Sequence, residues 1–102
     1  MKKIVDGKRY DTMRATEIAC HQTSNKSQFD WCEETLYRTK RGRWFLVGQG
    51  YANTRWCTVV PGGMRGPGGL DLEPISEDEA MAWLERHGAT DLIEQHFEIE
   101  EA

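Results

Sequence analysis

Apolar and polar positions change their period along the chain, and each change predicts an element. Asp6-Gly7 stands between Ile4-Val5 and Arg9-Tyr10, a turn dipeptide that predicts a short hairpin with Tyr10 facing inward. From Met13 to Ser24, Ile18 and Cys20 alternate with Glu17, Ala19 and His21, a period-two pattern that predicts a strand. Residues 24–28 (SNKSQ) read as a polar loop. Asp30 to Gly50 holds Leu36, Tyr37, Trp44, Phe45, Leu46 and Val47, residue types that a pleated sheet favours. A three-residue loop, Lys40-Arg41-Gly42, with Gly42 left-handed, would join two strands there. That register sets Tyr37 opposite Phe45 and Leu36 opposite Leu46. The two pairs fall on opposite faces, so both faces of the sheet need cover.

Residues 51–69 break the pattern. Five glycines and two prolines fall between positions 61 and 69, which rules out a long strand or helix there and predicts a loop. LDLEP (70–74) resumes strand character. Ser76 with Glu79 three residues on is a capping box, and Ala80, Trp83, Leu84 and His87 then recur at helical spacing, with Gly88 to end the helix. Thr90 or Asp91 is expected to cap a second short helix, with Leu92, Ile93 and Phe97 inward. The fold class that follows is α+β: an antiparallel sheet of four to six strands, with two C-terminal helices packed on one face. One domain over residues 1–102 is expected, with a frayed end over 99–102.

Composition narrows the class. With 102 residues, 38% apolar and 29% charged, the chain suits a globular domain. No apolar run reaches the roughly 18 residues of a membrane span, and MKKIVDGKRYD has no apolar signal region. A cytoplasmic location and no membrane partner are therefore expected. Cys20, Cys32 and Cys57 lack the close pairing of zinc ligands, so packing roles are expected and neither metal nor cofactor. The net charge of −4 hides a division. Residues 1–70 carry 12 Lys and Arg against 6 Asp and Glu, and residues 71–102 carry 1 against 11.

The order KRYDT, ATEIA, EETLYRTKRGRWFL, a glycine-rich loop and PISEDEAMAWLERHG resembles a group of small bacterial proteins carried on prophages, plasmids and other mobile elements. The resemblance spans nearly the whole chain and is strongest over LYRTKRGRWFL and PISEDEAMAWLE. The chain departs from it at Gly48-Gln49-Gly50-Tyr51, where such proteins tend to carry GEGG. The resemblance implies an α+β domain with no catalytic residues to carry over. By context it implies a role against host defence, such as that of anti-CRISPR proteins.

Little in the sequence points to catalysis. His21, His87 and His96 fall in no nucleophile–base pattern, and His87 suits a helix end. Glu33 and Glu34 are neighbours on a strand and point to opposite faces, so they form no carboxylate pair. Gly48-Gln49-Gly50 lacks the following helix of a dinucleotide site. A small enzyme or a metal-binding protein is thus the weakest reading. Arg38, Lys40, Arg41, Arg43, Arg55 and Arg65, beside Trp44, Tyr51 and Trp56, form a candidate partner surface. Cations among exposed aromatics suit single-stranded nucleic acid, although basic tips also serve to keep sheet edges apart. Glu77, Asp78, Glu85, Asp91, Glu94 and Glu98 form a second, acidic candidate surface, or simply a solvated helix face. A non-catalytic protein-binding module, an inhibitor of a host defence complex by charge complementarity, is the leading expectation. A nucleic-acid-binding module using hairpin 38–43 is the alternative.

Overall fold

Ten elements follow one another in a computed structural model, which describes all residues except 26–29, 52–53, 60–61, 64 and 67, and only the backbone of residue 65. They are β1 (Lys2–Val5), β2 (Lys8–Asp11), β3 (Thr16–Thr23), β4 (Cys32–Arg38), β5 (Trp44–Gly50), β6 (Thr58–Val59), β7 (Arg65–Gly66), β8 (Gly68–Ile75), α1 (Glu77–Arg86) and α2 (Thr90–His96). The central sheet is an antiparallel meander of four strands in the order β3-β4-β5-β8. Two further ribbons, β1-β2 and β6-β7, are not hydrogen-bonded into it as strands. No helix is long and apolar enough to cross a membrane among the described residues.

Local chemistry sets the turns. Asp6 and Gly7 both take left-handed φ, 52° and 73°, which is the twist a two-residue hairpin needs, and β1 closes on β2 from Val5 to Lys8. Five residues join β4 to β5, and Gly42 (φ 84°) ends the turn Lys40-Arg41-Gly42 among them, where the Thr39 and Gly42 amides donate to the Arg43 and Thr39 carbonyls. Leu36 pairs with Leu46 and Tyr37 with Phe45, as the spacing predicts. At α1 the Ser76 hydroxyl accepts from the Glu79 amide, and the Glu79 carboxylate accepts from the Ser76 amide. Those bonds to Ser76 hold the Glu79 carboxyl below its usual range.

The sheet separates two cores. On one face Leu36, Trp44 and Leu46 pack with Ala80, Trp83 and Leu84 of α1, and Leu92, Ile93 and Phe97 close the edge. On the other face Phe45, Val47 and Leu72 receive Tyr10 of β2. Full burial of Trp83 and Leu84 contributes roughly 2–3 kcal/mol each, enough to hold two short helices down. The two C-terminal helices thus lie on one face, and the β1-β2 ribbon covers part of the other.

Two expectations need correction. The alternation of Ile18 with Ala19 is broken by a bulge between Glu17 and Ala19. The extra residue lets both Ile18 and Ala19 pack toward the helices and leaves Cys20 exposed. Ala89, and neither Thr90 nor Asp91, is the cap residue of α2, without a side-chain hydrogen bond. Gly48, Gln49 and Gly50 lie within β5, whose register against β8 shifts between Gly48 and Gly50. Residues 26–28 of the expected polar loop, Met64 and the Arg65 side chain fall outside the described residues.

Candidate functional site

An aromatic plug brings two turns together. Tyr10 meets Phe45 edge-on at 5.7 Å between ring centres, and Phe45 stacks on Tyr37 at 5.1 Å. Lys3 Nζ donates to the Leu72 carbonyl at 3.2 Å and ties β1 to the edge of the sheet. With the ribbon fixed in this way, Gly7-Lys8-Arg9, Asp11, Arg14 and Ala15 come beside Thr39, Lys40, Arg41 and Arg43. A cleft of about 560 Å³ opens between them. Its walls carry six cations, Lys8, Arg9, Arg14, Lys40, Arg41 and Arg43, and one carboxylate, Asp11. All six cationic residues are exposed. Asp11 is already engaged, accepting from the Met13 amide at 2.9 Å and lying 3.9 Å from Arg14 Nε. Among the described residues, Lys8, Arg9, Lys40, Arg41 and Arg43 have no acidic partner within ion-pair distance. The hairpin supplies half of this site. Lys8, Arg9 and Arg14 of the ribbon, missed by the sequence reading, supply the other half.

The remaining residues of the expected basic surface lie elsewhere. Arg38 turns to the helical face. Its guanidinium lies 4.9 Å from the Trp44 ring centre, and Nη1 is 3.0 Å from His96 Nδ1. Burial first, and then Arg38, lower the His96 pKa. Trp44 is 2% exposed and stacks on Phe97, and Trp56 is 6% exposed. Neither tryptophan is offered to a nucleic-acid base. Tyr51 follows the far end of β5, packed on Trp31 at 4.9 Å. Arg55 does not line this cleft: it pairs with Glu73 at 3.2 Å and flanks the Trp56 ring. The acidic candidates, Glu77, Asp78, Glu85, Asp91, Glu94 and Glu98, are all exposed on the helices and the tail that follows them.

A second cleft, of about 600 Å³, lies between α1 and the far end of the sheet. It holds the one buried charged residue among the described residues, Glu34. Both carboxylate oxygens accept an indole N–H, from Trp56 Nε1 at 2.8 Å and Trp83 Nε1 at 2.9 Å. The Trp56 ring lies flat on Gly48, where a Cβ would overlap it, so glycine in mid-strand is what admits the ring. His87 caps α1 as its position suggests. Its ring also stacks on His21 at 3.6 Å and meets Trp83 edge-on. Burial, then His21 and Arg86, lower the His87 pKa. Burial raises the Cys32 thiol, which suppresses its nucleophilic form. Glu34 is committed to two tryptophans, so this cleft reads as an anchor for α1 and the 54–57 turn. Among the described residues no three His, Cys, Asp or Glu side chains converge as metal ligands.

Comparison with known protein families, with characterised proteins and with solved structures returns no match for this chain.

Proposed function

We propose that this chain is a non-catalytic protein-binding module whose six-cation cleft seats an acidic surface of its partner. The observation that carries the reading is the convergence of Lys8, Arg9 and, in the turn after β2, Arg14 with Lys40, Arg41 and Arg43 of the second hairpin onto one cleft. Like charges gathered on the exposed walls of one cleft set up a positive field that draws a counter-charge. Four of the six are arginines, whose planar forks take carboxylates two bonds at a time. Two further features favour a protein over nucleic acid. The chain is net −4, which opposes retention of a phosphate chain. The tryptophan rings that would stack with bases are committed to the core. The resemblance to mobile-element proteins directs the search for that partner to host defence complexes.

The test is affinity capture from extract, run in parallel with the wild-type chain and an Arg9→Glu/Lys40→Glu/Arg41→Glu/Arg43→Glu variant. A protein held by the wild type, released by salt and lost with the variant supports the reading. A short DNA retarded by the wild type and released by the variant would transfer the cleft to phosphate backbones instead.

A further inference from the structure

The outer face of the helical layer carries a surface of a different kind. Met81 and Glu85 of α1, Ile93 of α2 and Glu98-Ile99-Glu100 enclose an open groove of about 690 Å³. Among the described residues its lining is the exposed Ile99, the half-buried Met81 and Ile93, and three carboxylates, with no cation. Ile99 is 53% exposed between two glutamates. Asp78, one turn before Met81, and Glu94, next to Ile93, are also exposed and extend the negative field. That field repels nucleic acid and anionic bilayers alike. Apolar surface left open within an acidic rim has its complement in a cationic segment with one apolar stripe.

We propose that this groove docks a cationic amphipathic helix of a protein partner. The apolar stripe of the helix lies on Met81, Ile93 and Ile99, and its lysines or arginines face Glu85, Glu98 and Glu100. The site is independent of the basic cleft, which lies on the opposite layer. One rival occupant is present in the chain itself. The N-terminal ribbon exposes Ile4 and Met13 near Lys2, Lys3, Lys8 and Arg9. Those apolar side chains belong to a two-stranded ribbon and its exit, and they form no helical stripe.

Fluorescence anisotropy of a labelled leucine/lysine amphipathic helical peptide against the full chain tests the proposal. A scrambled peptide of the same composition, its leucines spread around the helix, is the reference. The amphipathic peptide is expected to bind about tenfold more tightly than the scrambled one. A Glu85→Gln/Glu98→Gln/Glu100→Gln variant should bind more weakly and with a flatter salt dependence. Ile99→Ser should weaken binding and leave the salt dependence unchanged. All four positions are exposed, so an unchanged helical dichroism signal certifies the fold. Equal affinity for the two peptides, or undiminished binding by Ile99→Ser, overturns the proposal. Sedimentation showing self-association that Ile99→Ser abolishes would give the groove to a second copy and overturn it as well.

Discussion

The two faces of the central sheet solve opposite problems. The helical face buries a carboxylate bound by two indoles, while the ribbon face has a small aromatic and aliphatic plug without a buried charge among the described residues and keeps its charges outward. Glu34 beneath α1 is locked: its donors come from Trp56, in the turn after β5, and from Trp83 in α1. That geometry ties three distant parts of the chain to one atom group, and the loss of any part leaves a buried polar group unpaired. The ribbon face has no such lock. Its cations are solvated, mostly unpaired and free to be changed without harm to the core. The difference separates what holds the molecule together from what is available to a partner.

The largest effect should come from breaking the lock. Glu34→Leu leaves two buried indole N–H groups without an acceptor and should cost about 3 kcal/mol. Urea unfolding measures it, and a loss no greater than that of an exposed substitution would contradict the anchor role. Gly48→Ala should follow at about 2 kcal/mol, because the methyl displaces Trp56 from the sheet and lengthens its bond to Glu34. Its signature is a shifted tryptophan fluorescence in the folded state.

These two residues also mark the limit of what the sequence discloses. Asp6-Gly7, the loop Lys40-Arg41-Gly42 and the Ser76/Glu79 box were legible because each is closed by bonds between residues a few positions apart. The pairing of Leu36 with Leu46 followed from that loop alone. The bond from Trp56 to Glu34 spans 22 residues and that from Trp83 spans 49, and no local rule reaches so far. Two signals did point there. Four tryptophans in 102 residues each need an outlet for an N–H, and a glycine inside an aromatic strand announces a close neighbour. The basic cleft was half legible for the same reason. Hairpin 38–43 was visible as a cluster, but Lys8, Arg9 and Arg14 join it only through the packing of Tyr10 on Phe45. The bulge at Glu17/Ala19 left no mark in composition and changed which face Cys20 occupies.

A smaller effect separates the faces by pH. His87 and His96 both lie on the helical face, and burial lowers both pKa values below the ordinary 6.5. The folded state therefore holds fewer protons on them than the unfolded chain. Their contribution is intact above about pH 6.5 and is lost as pH falls below it. The groups facing His87 are His21 on β3, Arg86 on its own helix and Glu34 on β4, and Arg38 faces His96. Urea midpoints should fall between about pH 7 and about pH 5.5, and the fall should shrink in a His87→Phe/His96→Phe variant. An identical decline in that variant would remove the histidines as its cause.

The smallest effect on stability belongs to the ribbon face. Reversing Arg9, Lys40, Arg41 and Arg43 should change unfolding free energy by less than about 0.5 kcal/mol, since exposed charges away from the core carry little of it. The same four changes should abolish recognition, and that contrast is the central claim. The most direct measurement is capture of the partner protein by wild-type and reversed chains of matched stability. The account predicts retention by the first and none by the second. Equal retention by both would contradict it.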